Sequence, residues 1–355
     1  MRCACWSTTP TRIHPPAEPI VDTDATFMAQ AVEVAATARY RTSPNPWVGA
    51  VVVTGGRVVG TGATSPPGGA HAEAVALAEA GELAMGATLY TTLEPCSHDG
   101  RTGPCSTAVV DAGVSRVVVG VVDPDPDVAG GGLAALAEAG VEVEVGVGAA
   151  EVEEQLQPYL HHRRTGLPYV VLKLAATLDG RIAATDGSST WITGAEARQD
   201  VHRLRAQSDA VCVGAGTVRS DDPRLTVRDW PGAEAAGARD PRRVVLGKIP
   251  DEAEVAPARS HEGPLDGLLS SLGDDGVLQL LVEGGADVAG RFHRAGLVDR
   301  YVVYLAPAIL GGDDSVPMMA GPGGSTMADV ARGRFTSVTP FGNDLRIDMV
   351  LDPWC

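Results

Sequence analysis

The sequence predicts an α/β protein built as two successive units. Three observations carry that expectation. β-Branched runs alternate with alanine-rich stretches of helical length along nearly the whole chain. The 355 residues amount to about two domains of roughly 150 each. A charged, polar segment at 151–165 separates the two series of elements. With 44% hydrophobic and 21% charged residues the composition is globular, and no stretch approaches the roughly 18 apolar residues of a membrane span. Twenty-eight basic against 45 acidic residues give a net charge of −17, which disfavours nucleic acid as a partner. An anionic ligand must then be held by local arginines or helix amino termini. Six cysteines are too sparse for a disulfide scaffold, and the opening MRCACWSTTPTRIHPPAEP lacks the apolar run of a signal peptide, so a cytoplasmic location is expected. Residues 1–23, rich in Pro and Thr, are expected to be a disordered extension, with Met28 as an alternative start.

The first unit, 24–150, opens with a helix over 26–42. Strands at 48–53 and 57–62 follow, joined by Thr54, Gly55 and Gly56. Next come a helix at 71–84, a strand at 88–93, a cysteine-bearing loop with a helix behind it, a strand at 117–122, a helix near 133–139 and a strand at 141–147. The segment 151–164 (EVEEQLQPYLHHRR) reads as a linking helix, ended by Thr165, Gly166 and Pro168. The second unit, 166–355, has strands at 169–176, 210–213, 243–246, 278–282 and 301–305, with helices at 195–206 and 287–295. Acids, prolines and glycines make 250–267 a loop. No internal repeat is visible.

Two sets of residues carry chemistry. In the first unit His71, Ala72 and Glu73 open a helix, Pro95 and Cys96 follow a strand, and Cys105 lies beyond eight intervening residues. One imidazole and two thiolates are three ligands for zinc, one ion per chain, and three protein ligands leave the fourth tetrahedral position to water, as in catalytic sites. Expelling an amine also requires a proton carrier. Glu73, two residues past His71 in the first helical turn, is placed to be that carrier without ligating the metal. A lone His-Ala-Glu is usually chance, and two lone cysteines are usually buried thiols; their order on the expected elements carries the assignment. His98, inside the loop, is the residue that would close a structural site instead.

Residues 42–50 (TSPNPWVGA), His71 to Glu73 and 93–105 (LEPCSHDGRTGPC) together resemble the deaminase half of the bifunctional riboflavin-biosynthesis deaminase-reductases. The long cysteine spacing separates that family from the tRNA and cytidine deaminases. The resemblance implies a cytidine-deaminase-like three-layer domain followed by a dihydrofolate-reductase-like α/β domain. It also implies that Asn45, His98 and Arg101 contact a phosphorylated pyrimidine substrate. The sequence departs from the family at Thr64, where a histidine is common, and at Ala50, Gly103 and Gly247.

Residues 168–185 (PYVVLKLAATLDGRIAAT) and 188–193 (SSTWIT) resemble the opening of the reductase half. A complete G-x-G-x-x-G fingerprint is absent, but Gly214-Ala215-Gly216-Thr217 and Glu283-Gly284-Gly285 supply glycine turns where amides can approach a pyrophosphate. The resemblance implies NADPH contacts from Ala175, Trp191, Thr217, Asp221, Gly285, Ala286, Asp287, Val288, Ala289, Gly290 and Arg291. It implies substrate contacts from Ser189, Arg205, Leu225, Arg228 and Glu283, with Lys173 beside the same pocket. The expected function is two successive steps: zinc-dependent hydrolytic deamination of 2,5-diamino-6-(5-phosphoribosylamino)pyrimidin-4(3H)-one, then NADPH-dependent reduction of ribosyl to ribityl. The alternatives are a zinc deaminase of another nucleobase or nucleoside fused to an unrelated reductase, and a non-catalytic nucleotide sensor. A homo-oligomer is expected.

Overall fold

The computed structural model describes residues 23–97 and 103–352; residues 1–22 of the expected extension lie outside them. Helix α1 (Thr23–Ala36) ends six residues before the expected 42. The Thr37 hydroxyl donates to the Val34 carbonyl at 2.7 Å, and the amides of Thr37 and Ala38 turn back onto Val34 and Ala35, closing the last turn. Strands β1 (Gly49–Thr54) and β2 (Arg57–Ala63) form the expected hairpin, with Gly55 and Gly56 at φ 57° and 74°. Two successive positive φ values match the right-handed strand twist, which is why glycines fill the turn. Helix α2 (Ala72–Ala80) stops at Gly81, also at positive φ, and a short 3₁₀ turn replaces the rest of the expected 71–84 helix. β3 (Thr88–Leu93), α3 (Cys105–Asp111), β4 (Arg116–Val121), α4 (Gly131–Glu138) and β5 (Glu142–Val145) complete the series.

The first sheet runs β2-β1-β3-β4-β5, antiparallel around β1 and parallel from β3 onward. Its layering is set by small residues. A Cβ on Gly49 would lie 2.0 Å from the Ala31 carbonyl of α1, whereas Cβ atoms on Gly60 and Gly62 would lie 2.2 and 2.1 Å from carbonyls of α2. These positions alternate across the pleat, so α1 and α2 press on opposite faces. Helix α5 (Ala149–Thr165), capped by Gly166 at φ 74°, joins the α1 face and buries Val152, Leu156, Tyr159 and Leu160 in the first core. The segment expected to link therefore also belongs to the outer layer of the first sheet.

The second sheet is assembled from β6 (Tyr169–Thr177), β8 (Ala210–Gly214), β9 (Arg242–Leu246), β10 (Arg259–His261), β11 (Gln279–Val282), β12 (Arg300–Ala306), β14 (Gly333–Phe341) and β15 (Asp344–Leu351), with β7 (Arg181–Ala183) and β13 (Val316–Pro317) forming a separate ribbon. Its order is β10-β9-β8-β11-β6-β12-β15-β14, parallel as far as β12 and antiparallel beyond. Helices α8 (Leu265–Asp274) and α9 (Ala286–Arg294) cover one face through Leu268, Leu272 and Phe292. Helices α6 (Ala195–Ala206) and α7 (Ala215–Asp221) cover the other through Val201, Leu204 and Val218.

Three expectations are corrected in this unit. The stretch 250–267 is not all loop: β10 and the start of α8 lie in it, and Leu265, Leu268, Leu269 and Leu272 form a helical stripe directly after its prolines. Helix α7 follows β8 at once where only a glycine turn was expected. The β14–β15 hairpin supplies two further strands. Its β14 residues are largely exposed on both faces, so the sequence carries little alternation there, and pairing with β15, which itself pairs with β12, supplies what pattern does not.

Candidate active sites

The first site forms where the start of α2 meets the loop after β3 and the start of α3. His71 Nδ1 lies 3.5 Å from Cys96 Sγ and 3.3 Å from Cys105 Sγ, and the three donor atoms lie within 4.8 Å of one another. Tetrahedral zinc with bonds of about 2.0 Å to nitrogen and 2.3 Å to sulfur places N and S about 3.5 Å apart, so the donor set and its spacing fit that ion. The Cys105 thiol and the His71 ring hold the Cys96 thiol well below the ordinary thiol range, so one sulfur is readily anionic. The amide of Cys105, at the head of α3, also donates to Cys96 Sγ at 3.4 Å. Glu73 Oε2 accepts from the Cys105 thiol at 3.5 Å and is 3% exposed. Burial pushes its carboxyl up to about 7, a value suited to both taking and giving a proton near neutrality.

His71, Glu73 and Cys96 line a cavity of about 190 Å³ together with Asn45 and Thr64. Thr64 does not reach into it as a free donor; its hydroxyl accepts the Val48 amide at 2.9 Å and secures the entry to β1. The opposite wall was not foreseen from the sequence. It consists of Glu94, Asp123, Asp125 and, from α5, Tyr159 and Arg163. Glu94 accepts the amides of Asp123, Gly130, Gly132 and Leu133 at 3.3, 3.0, 3.0 and 3.4 Å, clamping the loop after β4 and the start of α4 to the cysteine loop. Asp123 accepts the Tyr159 hydroxyl at 3.0 Å, and Arg163 pairs with Asp125 at 3.3 Å. The adjacency of Glu94 to Pro95-Cys96 is the one sequence signal that points to this wall.

The second site lies at the carboxyl ends of β6, β8 and β11. Arg205 grips Glu283 with two parallel bonds, 2.7 Å from Nε and 2.9 Å from Nη2. Burial alone would raise the Glu283 carboxyl, but Arg205 and Lys173 outweigh it and hold the group below the usual range. Lys173 has its own pKa lowered by burial, with Glu283 opposing. Arg205 also donates to the Thr226 carbonyl at 3.2 Å, and Arg228 donates to the Thr226 hydroxyl at 3.0 Å, so the two arginines converge. The amino ends of α7 and α9 sit side by side: a Cβ on Gly285 would lie 3.6 Å from Thr217 Oγ1. Gly214 and Gly284 have a packing reason as well. A Cβ on either would come within 2.9 Å and 2.4 Å of the Val288 side chain.

Comparison with known proteins brings the two sites together. A family model for the zinc-binding region of cytidine and deoxycytidylate deaminases matches residues 21–121, and one for the RibD C-terminal domain matches residues 168–347. The riboflavin biosynthesis protein RibD of Mycobacterium tuberculosis is 45% identical over 334 residues, covering 91% of this chain and 96% of its own. The chain belongs to the RibD family. RibD of Escherichia coli is 39% identical, covering 92% of this chain and 99% of its own. The structure of Acinetobacter baumannii RibD matches with a TM-score of 0.88 at 38% identity, over 93% of this chain and 99% of that one. A Thermotoga maritima diaminohydroxyphosphoribosylaminopyrimidine deaminase/5-amino-6-(5-phosphoribosylamino)uracil reductase matches at 0.83 and 32% identity, over the same shares. As a member of that family, the chain is an enzyme that couples a deaminase unit to a reductase unit in riboflavin biosynthesis.

Within this chain the expected contact residues fare differently. His98 and Arg101 lie outside the described residues. Ala175 is on β6 beside the Lys173 position, and Trp191 is 72% exposed with the Arg198 guanidinium stacked on it at 4.3 Å. Among the described residues no hydrogen bond joins Ser189 to the Arg205 cluster. Asp221 is exposed at the last turn of α7. Leu225 is buried in the core at positive φ. In 285–291 the expected contact residues occupy different surroundings. Gly285, Ala286 and Asp287 form the open first turn of α9, whereas the side chains of Val288 and Ala289 are in the core and Gly290 packs against the Ala320 carbonyl. Arg291 faces outward and approaches Asp287 at 4.0 Å.

Proposed function

We propose that the chain carries out two consecutive reactions in the cytoplasm. Its first unit, through the end of α5, removes the exocyclic amine of 2,5-diamino-6-(5-phosphoribosylamino)pyrimidin-4(3H)-one with water, releasing ammonia. Its second, from residue 166, reduces the ribosyl chain of the resulting uracil to ribityl with NADPH. The observation that carries this reading is the meeting of His71, Cys96 and Cys105 with the buried Glu73, beside a cavity that His71, Glu73, Cys96 and Asn45 line.

Zinc held by His71, Cys96 and Cys105 supplies a Lewis acid that makes water a better nucleophile. Glu73 takes a proton from the attacking water and returns it to the ring nitrogen and then to the departing amine, which leaves as ammonia while the ring carbon gains oxygen. The Asn45 amide would read the pyrimidine edge, with the Asp123–Tyr159 pair and Arg163 lining the same cavity. In the reductase unit NADPH supplies the hydride for the ribose carbon that bears the amine. The unpaired first-turn amides of α9 suit its pyrophosphate. Glu283, fixed by Arg205, accepts hydroxyl hydrogen bonds from the sugar chain, and Lys173 beside it is a source for the proton that completes the reduction.

The test is an assay of the zinc-loaded protein with each pyrimidine intermediate, with and without NADPH. Ammonia should be released from the diamino compound without NADPH, and NADPH should be consumed only with the deaminated one. Ammonia release that requires NADPH, or none at all, would reject the reading.

A further inference from the structure

A second cavity, of about 220 Å³, lies between the two units. It backs onto the deaminase pocket through one stretch of chain. Asn45, Pro46 and Val48 line that pocket, whereas Ser43, Pro44 and Trp47 line this one. Four arginines stand in its wall, Arg39 and Arg41 from the turns after α1, Arg239 from the approach to β9 and Arg242 from its first position. Among the described residues none of the four forms an ion pair.

The three acids in the same wall are already engaged. Asp209 accepts the amides of Leu278 and Gln279 at 2.8 and 3.0 Å. Asp240 accepts the Val227 amide at 2.7 Å and pairs with Arg243 at 3.4 Å, and Asp275 pairs with Arg259 at 3.3 Å. Arg39 is instead held by neutral groups. Its guanidinium lies 4.4 Å from the Trp47 ring centroid and donates to the Gln155 carbonyl at 3.2 Å and to Gln279 Oε1 at 2.9 Å. A cation kept from water without a carboxylate is costly, and burial draws Arg39 down to about 10. The Nε groups of Arg39 and Arg41 are buried without a partner, and so is the Trp47 indole N–H, on a residue 3% exposed. All three are donors.

We propose that this junction cavity binds a phosphate group, free or carried by a small sugar phosphate, which joins Arg39 and Arg41 of the first unit to Arg239 and Arg242 of the second. A phosphate brings acceptors and negative charge to a wall whose unsatisfied groups are donors, and guanidinium forks match it geometrically. Because residues 43–48 separate this cavity from the deaminase pocket, the bound anion also steadies the segment that carries Asn45. The site is separate from both reaction centres and does not depend on their assignment.

The full-length, zinc-loaded protein, saturated with NADPH, is titrated calorimetrically with inorganic phosphate and in parallel with ribose 5-phosphate, and its Tm is followed with each. Arg41→Gln and Arg239→Gln should each weaken one class of sites about tenfold or more and abolish most of the Tm rise. Both variants should leave kcat and KM of the two reactions unchanged without added phosphate. Arg239 is exposed and makes no ion pair among the described residues, so its replacement leaves folding intact. Tighter binding of ribose 5-phosphate identifies a sugar phosphate as the ligand, and equal binding identifies free phosphate. The proposal is overturned by a wild-type Tm indifferent to both compounds, or by variants that bind them as tightly as wild type.

Discussion

At the scale of single residues, Glu73 and Cys96 separate two roles that share one cavity. Glu73 meets the Cys105 thiol and lies outside the His71, Cys96 and Cys105 cluster, so Glu73→Gln should keep zinc and lose deamination by about 10²-fold or more. NADPH oxidation on the deaminated intermediate should stay near wild type, because the second site lies in the other unit. Persistent deamination would exclude the proton-carrier role. Cys96→Ser removes one of three donors, and metal analysis should then find far less than one zinc per chain. Full zinc occupancy in that variant would mean that Cys96 is not a ligand.

At the scale of elements, the cysteine loop is held by α4 as much as by its own sequence. The Glu94 carboxylate gathers four amides from the loop after β4 and from the start of α4, and Gly132 lets that helix approach until a Cβ there would meet the Pro95 carbonyl at 1.8 Å. Glu94→Ala leaves several buried donors unsatisfied, each worth about 1–3 kcal/mol, so a loss of about 3 kcal/mol or more is expected in denaturant unfolding. Zinc retention should fall with it, since the same loop carries Cys96. Unchanged stability and zinc content would show that the clamp is dispensable.

At the scale of the whole molecule, the second sheet is anchored by a buried charge network. Asp348, 1% exposed at its side chain, accepts from Arg300, Arg346 and Ser337, while Asp200 on α6 accepts from Arg346, Arg203 and Tyr304. Burial would raise the Asp348 carboxyl, but Arg346 and Arg300 prevail and its folded pKa lies below the ordinary value. Such a group contributes stability above its unfolded pKa of about 3.9, and that contribution is lost as pH falls through the lower folded value. Asp348→Asn should therefore cost about 3–5 kcal/mol at pH 7, and the gap to wild type should close only below about pH 4. A gap that closes between pH 5 and 7 would contradict the network. We also propose that the exposed edge strand β14, with Phe335 66% and Val338 55% exposed, is covered by another copy of the chain. Sedimentation should then give a mass above the 36.5 kDa of one chain, and a monomer at all concentrations would refute it.

What is legible in the sequence is what sits close together along it. His71 and Glu73 share one helical turn, Pro95 and Cys96 end a strand, and Gly55 and Gly56 make a hairpin turn, so short-range geometry ties residue type to place without knowledge of the rest. The alternation of elements likewise carried the α/β class and the two series of strands. The stripe of α8 was hidden behind prolines, and the exposed β14 left no alternation to read. Only the tertiary structure decided which distant residues meet. Arg205 and Glu283 are 78 positions apart, Glu94 reaches 39 positions to Leu133, and Arg39 bonds Gln279 across 240 positions. None of these pairings leaves a periodic trace, because a contact between packed layers depends on how sheets and helices stack rather than on spacing along the chain. For the same reason the sequence by itself singled out the candidate zinc donors and the candidate proton carrier, while the far wall of their pocket, the packing of α5 and the arginine-lined junction came from the fold.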